Sequence, residues 1–406
     1  MTKLPENACV YPFKAAMLMH GTPATPCCRF HKRFLDSSDI ESVDAYDALF
    51  ADIRETMMRN EWHPGCYKCK VDEETKGTSM RTEADEFFSE FTNDAELQYL
   101  EITVGRLCNL KCMSCGPEYS HTWDDDALNL GLETPEYIQK LREIQELDLG
   151  SINVDLLKNL RHIKVTGGEP FLHRQFLDFI VRLANAGIAP QIDIEIFTNC
   201  TWWPKKTDYD ALLQFNKIHI RPSIDSIGEV NDVLRFPSKW EKVESVLDQW
   251  IEMRSQYPDK VTIATATTVS VINAPYMYEF MFWARAIKDI DVILQTVYEP
   301  NYMSILHYPD WFKDIIRFTV NSQFNETIKP GKIRQARDLL IKLTEHNGTP
   351  NEALDVNIFK IKQVLKARGL NIGQIRKFKD MLELKSPGID WERGTELRWN
   401  SDTKQL

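Results

Sequence analysis

The clearest pattern in this sequence is an alternation of short apolar runs with longer amphipathic segments, which begins near residue 96. The first run, residues 99–104, alternates apolar and polar positions as a half-buried strand does. Later runs are rich in β-branched residues and are followed by segments with apolar residues at helical spacing. This order is typical of βα units around a parallel sheet. The predicted strands span residues 99–104, 161–165, 191–197, 216–224, 260–270 and 291–298.

Outside this region the pattern differs at both ends of the chain. Residues 1–95 carry five of the nine cysteines and one segment of helical spacing, residues 47–58. From about residue 308 the apolar spacing is helical over 309–320, 332–345, 350–367 and 372–384. We therefore expect three parts: an N-terminal cysteine-rich unit over residues 1–95, an α/β core over residues 96–307 and a helical C-terminal extension over residues 308–406.

Composition narrows the class of protein and its partners. The chain has 406 residues, of which 43% are hydrophobic and 27% charged, as in ordinary globular proteins. Its formal net charge of −11 argues against broad electrostatic binding of nucleic acid. No apolar run has the length of a transmembrane helix, and the first residues lack the apolar core of a signal peptide. We therefore expect a cytoplasmic protein with neither a membrane nor a nucleic acid as its partner.

Three cysteines follow the first predicted strand at the spacing C-x3-C-x2-C: Cys108, Cys112 and Cys115. Thiolates are the ligands that iron–sulfur clusters take, and full ligation of a four-iron cubane needs four of them. Three cysteines on one tight loop can hold three irons, and the fourth iron then keeps an open position for a substrate or cofactor. The three cysteines alone would also fit three of the four ligands of a zinc site.

A second motif follows the second predicted strand, where Gly167, Gly168 and Glu169 precede a proline. Paired glycines let a ligand approach the backbone closely, and the glutamate can hold an ammonium group. C-x3-C-x2-C at one strand end and GGEP at the next resemble the radical SAM superfamily. A departure from its usual pattern is Ser114, which stands before the third cysteine, where the family commonly has an aromatic residue.

The resemblance implies a fold and a reaction. The fold is α/β, a partial (βα)6 barrel of the TIM type. A [4Fe-4S] cluster would lie on Cys108, Cys112 and Cys115, with its open iron chelated by the amino and carboxylate groups of S-adenosylmethionine. The GGEP loop would hold the amino group. One electron from the cluster would cleave the sulfonium and give a 5′-deoxyadenosyl radical that abstracts hydrogen from the substrate.

Further polar residues fall after the later strands, where parallel α/β barrels form their active sites. By resemblance, Ser223 and Asp225 would contact the ribose or the methionine carboxylate, Arg235 the carboxylate, and Asn273 the ribose. Each could instead be a turn or capping residue. Cys200, after the third strand, is either a small buried residue or a thiol that donates a hydrogen atom.

The N-terminal cysteines form a separate set. Eight of the nine cysteines lie within the first 115 residues, and an odd total in a reducing compartment favours metal over disulfides. The order cysteine, glycine, cysteine, helix and C-x2-C resembles the SPASM/twitch module, which binds an auxiliary [4Fe-4S] cluster and usually follows the barrel. A structural zinc site or buried unliganded cysteines are the alternatives. The implied cluster ligands are Cys9, Cys27, Cys66 and Cys69, with Cys28 as the alternative to Cys27.

Together these features predict a radical SAM enzyme with one auxiliary cluster. The predicted enzyme modifies a peptide or protein. The implied partners are S-adenosylmethionine and a reductant such as flavodoxin or ferredoxin. Two alternatives stay open. One is the same chemistry on a nucleotide or sugar, and the other is a non-catalytic iron–sulfur or zinc protein in which the GGEP motif would have no role.

Overall fold

A computed structural model describes residues 5–31, 46–88, 95–144, 146–324 and 332–384 of the chain. Its centre is one eight-stranded sheet. The strands are β1 (Ala15–Met19), β2 (Thr22–Thr25), β3 (Tyr99–Thr103), β4 (His162–Thr166), β5 (Asp193–Thr198), β6 (Lys217–Pro222), β7 (Val261–Val269) and β8 (Asp291–Thr296).

The strands lie in the order β2-β1-β3-β4-β5-β6-β7-β8. Neighbours from β3 to β8 are parallel, β1 is parallel to β3, and β2 is antiparallel to β1. The six predicted strands are β3 to β8, and their observed bounds differ from the predicted ones by no more than two residues. The predicted α/β fold with a partial TIM-type barrel is thus confirmed.

Helices follow most of the parallel strands and cover one face of the sheet. In the helix that follows β4, the buried residues Phe176, Phe179, Ile180 and Leu183 recur at helical spacing, and this stripe joins the sheet in one core. The helices are α1 (Tyr11–Lys14), α2 (Tyr46–Leu49), α3 (Ala51–Met58), α4 (Tyr67–Lys76), α5 (Met80–Phe87), α6 (Asp124–Asn129), α7 (Pro135–Glu143), α8 (Arg174–Asn185), α9 (Lys206–Leu212), α10 (Gly228–Leu234), α11 (Trp240–Gln256), α12 (Met277–Phe282), α13 (Asp310–Gln323), α14 (Lys332–Leu343), α15 (Glu352–Ala367) and α16 (Arg376–Glu383).

The two faces of the central strands have opposite chemistry. Leu100, Ile163, Ile194 and Ile218 have no exposed surface and belong to the core beneath the helices. Burial of each such side chain contributes about 1.5–3 kcal/mol to folding. The alternate positions carry polar and charged residues, which face the opposite side of the sheet, the interior of the open barrel.

The N-terminal residues contribute two strands that the sequence analysis did not predict. β1 pairs with β3 over five residues, from Ala15 opposite Tyr99 to Met19 opposite Thr103. The sheet therefore continues across the expected boundary at residue 95. The predicted helix over residues 47–58 is present as α2 and α3.

The C-terminal part is helical, as predicted, from α13 to α16. Residues 385–406 of the expected extension lie outside the described residues. The side chain of Asn357, in α15, donates to the carbonyl of His307 at 2.8 Å, so the extension is tied to the segment that follows β8. In the described part of the chain, no helix combines the length and the apolar character needed to cross a bilayer.

Candidate active site

The carboxyl ends of neighbouring parallel strands bring the predicted site residues to one edge of the sheet. The cysteine loop, residues 105–117, follows β3, and the glycine loop, residues 167–169, follows β4. Asn199 and Cys200 follow β5, and Asp225 follows β6. Because these four strands are neighbours, the loops that follow them lie side by side. Motifs that are far apart in the sequence therefore meet in the fold.

Nitrogen donors point at two of the three sulfur atoms of the cysteine loop. The backbone N–H of Leu110 lies 3.4 Å from Cys108 Sγ, and Asn199 Nδ2 lies 3.9 Å from the same sulfur. Arg235 Nη1 lies 3.8 Å from Cys112 Sγ. Hydrogen bonds to sulfur are among the interactions that tune iron–sulfur clusters. The loop thus has the surroundings of a thiolate ligand set.

The backbone of the cysteine loop is anchored to the end of α10 and to the segment that follows it. Lys111 N donates to Phe236 O, and Met113 N donates to Leu234 O, both at 2.7 Å. These two bonds flank the second cysteine, Cys112. The loop is therefore fixed on both sides of that sulfur.

The glycine loop packs directly on the backbone of the cysteine loop. Gly168 N donates to Gly105 O at 2.8 Å, and Glu169 N donates to Leu107 O at 2.9 Å. A Cβ on Gly168 would lie 2.2 Å from Leu107 O, which is too close for any side chain. Gly167 has φ +122°, a conformation that favours glycine. The paired glycines are thus required by the contact between the two loops.

Glu169 is fully buried, and three donors surround its carboxylate. Oε1 accepts from Thr198 Oγ1 at 2.9 Å and from Phe171 N at 3.3 Å, and Oε2 accepts from Asn199 N at 2.7 Å. Burial raises the pKa of Glu169 to about 7, although these hydrogen bonds oppose the rise. A cation or further N–H donor placed against the carboxylate would stabilise its charged form.

Asp225 and Arg235 form a buried ion pair beside the cysteine loop. Arg235 Nε lies 2.9 Å from Asp225 Oδ2, although it is not aligned as a hydrogen bond. Thr268 N donates to Asp225 Oδ1 at 2.8 Å. Burial opposes the charge of Arg235, but Asp225 and the nearby Cys112 raise its pKa. A fixed positive charge therefore lies next to Cys112.

Asn273 joins the ends of β6 and β7. Its Nδ2 donates to the carbonyls of Asp225 and Thr268, at 2.8 and 2.9 Å, and its Oδ1 accepts from Ser270 N at 2.7 Å. These contacts give Asn273 the turn role named as an alternative, and the ribose contact stays a prediction. Ser223 is half-buried, and its backbone N–H donates to the end of β5 at 2.7 Å.

A hydrogen-bonded network behind Cys108 was not predicted. Asn199 Nδ2 donates to Asn109 Oδ1 at 2.9 Å, and Thr201 Oγ1 donates to Asn199 Oδ1 at 2.6 Å. Asn109 Nδ2 completes the ring with a 2.8 Å bond to Thr201 Oγ1. The Asn that follows Cys108 in the sequence is the only hint of this network. Cys200 is fully buried at φ +58°, which matches its interpretation as a small buried residue.

The N-terminal cysteines surround a cavity that is separate from the cysteine loop. Cys9, Cys27, Cys66 and Cys69 all line one space of about 350 Å³, whereas the adjacent Cys28 does not line it and is exposed. We call this space the N-terminal cavity. Cys9 precedes β1 and Cys27 follows the antiparallel β2, so the cavity lies at the amino end of the sheet edge. The cysteine loop lies at the opposite, carboxyl end.

The wall of the N-terminal cavity is apolar apart from its thiols and two arginines. Arg81 Nη1 donates to Ala8 O at 3.0 Å, next to Cys9, and Arg81 Nε donates to Glu73 Oε1 at 2.9 Å. Burial, together with the neighbouring thiols, raises the pKa of Cys66 to about 12. The other lining residues are Tyr11, Pro12, Pro26, Arg29, Phe30, Met57 and Trp62.

The barrel interior between the two sites is lined by paired charges. Lys164 Nζ lies 3.0 Å from Glu101 Oε1, and Arg221 Nε lies 2.6 Å from Glu195 Oε1. Burial opposes the charge of Glu195, but His162 and Arg221 lower its pKa to about 2. The interior is thus polar, with each of these cations balanced by a carboxylate.

The thiols at both sites are the type of donor that iron–sulfur clusters take. Burial first, and then the neighbouring thiols, raise the pKa of Cys108 and Cys115 to about 12, so a bound metal would displace their protons. Across the described ranges, no three His, Cys, Asp or Glu side chains converge closely enough to hold a single metal ion. A cubane takes each sulfur on a different iron, so its ligands share a cavity without converging on one point.

Fold and site together define a parallel α/β barrel protein with a buried three-cysteine loop and a glycine loop at one edge. Residues 102–265 match the family model described as the radical SAM superfamily. This stretch, which is less than half of the chain, is thus similar to radical SAM enzymes.

Curated relatives and solved structures were also compared with the chain. It is similar to GTP 3′,8-cyclase of Listeria monocytogenes, with 26% identity over 213 residues, which are 52% of this chain and 55% of the relative. The corresponding protein of Thermodesulfovibrio yellowstonii is 29% identical over 197 residues, 47% of this chain and 54% of the relative. The chain thus spans about half the length of the curated relatives it matches.

Two solved structures show low similarity to the chain. anSMEcpe with bound AdoMet and the Cp18Cys peptide is 18% identical, with a TM-score of 0.35 and coverage of 55% of this chain and 59% of that one. Streptococcus suis SuiB bound to the precursor peptide SuiA is 11% identical, with a TM-score of 0.34 and coverage of 76% and 62%. With TM-scores this low, neither structure supports an argument about function.

Proposed function

We propose that this protein cleaves S-adenosylmethionine reductively and uses the resulting 5′-deoxyadenosyl radical to abstract hydrogen from a substrate. The observation that carries the proposal is the packing of the two loops. Gly168 lies against Leu107, directly before Cys108, so the loop that would hold the cofactor and the loop that would hold the cluster form one unit. A [4Fe-4S] cluster with S-adenosylmethionine would supply the electron and the cleavable sulfonium.

The residues of this unit have distinct roles in the proposal. Cys108, Cys112 and Cys115 would ligate three irons and leave the fourth open. Glu169 would accept a hydrogen bond from the amino group of the cofactor, and its carboxylate is already placed by donors from β5. Arg235, next to Cys112, would attract the cofactor carboxylate while Asp225 keeps it in place.

The N-terminal cavity would hold an auxiliary [4Fe-4S] cluster on Cys9, Cys27, Cys66 and Cys69. Four thiols complete the ligation of a cubane, so this cluster would have no open iron and would act in electron transfer. A series of aromatic rings leads from Tyr11, in the wall of the cavity, to the barrel interior. Tyr11 lies 6.4 Å from Tyr99 between ring centroids, and Tyr99 lies 5.1 Å from His162 in a stacked arrangement.

We further propose that the substrate is a peptide or protein segment. The cations of the barrel interior, Lys164 and Arg221, are each paired with a carboxylate. A peptide group is neutral and polar and needs no free cation. A nucleoside triphosphate carries several negative charges and would have to compete with Glu101 and Glu195 for these cations.

A purine nucleotide is the second candidate, because the curated relatives named above are GTP 3′,8-cyclases. Under either substrate, flavodoxin or ferredoxin would supply the electron, and the protein would work in the cytoplasm. We also propose that residues 1–95, 96–307 and 308–406 act as the auxiliary-cluster unit, the catalytic core and a supporting extension.

Anaerobic reconstitution followed by dithionite and S-adenosylmethionine tests the proposal. Two clusters predict about seven to eight irons per chain, and one cluster predicts about four. The wild type should release 5′-deoxyadenosine. Cys112→Ala should release none, whereas Cys28→Ala, a matched change at an exposed cysteine outside both sites, should release as much as the wild type. Failure of the reconstituted wild type to form 5′-deoxyadenosine would overturn the proposal.

The same assay separates the two substrate classes. Addition of GTP, or of peptides from the native host fractionated by size, should increase 5′-deoxyadenosine release when the true substrate is present. Stimulation by a peptide fraction supports our first candidate. Stimulation by GTP with consumption of the nucleotide would favour the second.

A further inference from the structure

The C-terminal extension places one arginine against the cysteine loop. Arg368 follows α15, and its side chain has no exposed surface. Its Nε lies 3.1 Å from Asp126 Oδ2. Its guanidinium carbon lies 4.4 Å from the ring centroid of Trp123 and 5.7 Å from that of Phe236. Both Nη1 and Nη2 are buried without a hydrogen-bond partner among the described residues.

The groups around Arg368 are the same ones that hold the second cysteine. Trp123 Nε1 donates to the carbonyl of Cys112 at 2.9 Å. Phe236 O accepts from Lys111 N at 2.7 Å, and Asp126 Oδ1 accepts from Lys111 Nζ at 2.6 Å. Arg368 is therefore linked to residues 111 and 112 through both of its ring contacts and through its acidic partner.

A buried guanidinium with two unpaired nitrogens needs negative charge or acceptor atoms near it. Asp126 already shares its charge with Lys111, so it only partly balances Arg368. A cluster ligated by Cys112 would add sulfur acceptors and negative charge on this side of the loop.

We propose that Arg368 is a positioning residue that fixes the Cys112 side of the cysteine loop and raises the reduction potential of the cluster held there. The proposal rests on the proposed function, because it needs a cluster on the three cysteines. A buried positive charge favours the reduced cluster, which carries one more negative charge than the oxidised one. The C-terminal extension would thus belong to the catalytic unit.

Potentiometric titration followed by electron paramagnetic resonance of the reconstituted protein tests this inference. The catalytic cluster is recognised as the signal that S-adenosylmethionine alters. Arg368→Gln should lower its equilibrium constant for reduction about tenfold, which is about 59 mV for one electron. Lys366→Gln, which removes the same charge from the exposed face of α15, should leave the potential unchanged.

A change of opposite sign distinguishes charge from mere disruption. Asp126→Asn removes the negative partner of Arg368 and should raise the potential. Loss of packing alone would not shift the reduction potentials of the two variants in opposite directions. If Arg368→Gln fails to assemble the cluster, two other variants test the inference. Asp126→Asn should raise the potential, and Arg368→Lys should leave it near that of the wild type.

An unchanged potential in Arg368→Gln, or a shift of the same sign in Arg368→Gln and Asp126→Asn, would overturn the inference while the proposed function stands. A wild type that assembles no cluster altered by S-adenosylmethionine would instead overturn the proposed function. The two failures are thus distinguishable in one set of samples.

Discussion

Replacement of Gly168 by alanine should separate the two loops on which the proposed chemistry depends. The new Cβ would meet Leu107 O at 2.2 Å and Leu107 C at 2.7 Å, so the cysteine loop would have to move by about 1 Å to restore an ordinary contact. Leu107 O also accepts from Glu169 N at 2.9 Å and is 3.1 Å from His173 Nε2. Movement of this carbonyl therefore weakens two hydrogen bonds.

The expected cost follows from these contacts. Two hydrogen bonds at about 1 kcal/mol each, with overpacking of about 1–3 kcal/mol, give a loss of roughly 3–5 kcal/mol of unfolding free energy. Urea unfolding measures this loss, and iron analysis after reconstitution should show about four fewer irons per chain. Gly116→Ala is a matched control in the same loop, because its Cβ would meet only the flexible Glu118 carboxylate.

Equal stability and equal iron content in Gly168→Ala and Gly116→Ala would refute this reasoning. It would mean that the cysteine loop is free to shift away from the glycine loop at no cost. The packing of the two loops would then say nothing about a shared site.

Three further predictions concern single residues. The folded pKa of Glu169, about 7, exceeds its usual 4.5. The stability of the wild type relative to Glu169→Gln should therefore fall as the pH rises from 4.5 to 7, by at most about 3 kcal/mol. Urea unfolding at several pH values would show a constant difference if this is wrong. Cys27→Ser should lose about four irons per chain after reconstitution, while Cys28→Ser keeps them, and the reverse result would exchange their roles. Asn273→Ala should lose about 1–3 kcal/mol in urea unfolding, because its side-chain hydrogen bonds to Asp225, Thr268 and Ser270 disappear, and a neutral change would contradict its turn role.

The sequence predicted the six barrel strands well, but it did not predict β1 and β2, which form one edge of the sheet. β3 to β8 are buried on one face and rich in branched apolar residues, so their periodicity is strong. β1 and β2 have only five and four residues, and β2 contains Pro23, which weakens a strand pattern. The pairing of β1 with β3 depends on contacts about 80 residues apart, which no local pattern reveals.

The candidate site was predictable where a motif carries it. The cysteines and the glycines stand in short, recognisable stretches, and the fold places them together. Asn109 and Thr201 could not be assigned, because their role depends on a hydrogen bond between residues 92 positions apart. Arg368 lies 242 positions from Asp126, so no local pattern could pair the two residues.

The choice between Cys27 and Cys28 stays a prediction, to which the geometry adds what the sequence pattern lacks. Adjacent cysteines are equivalent in a sequence pattern. After β2 the chain turns so that Cys27 lines the N-terminal cavity, while Cys28 is exposed. The ligand set that the resemblance implied, with Cys27, is therefore the one that the cavity favours.

The central claim is that three cysteines leave one iron open for the amino and carboxylate groups of S-adenosylmethionine. Electron-nuclear double resonance on the dithionite-reduced protein tests it most directly, with S-adenosylmethionine labelled with ¹⁵N in the amino group and ¹³C in the carboxylate. The account predicts hyperfine coupling of both nuclei to the cluster, and loss of both in Cys112→Ala. Bound S-adenosylmethionine without coupling of either nucleus in the wild type would contradict the account.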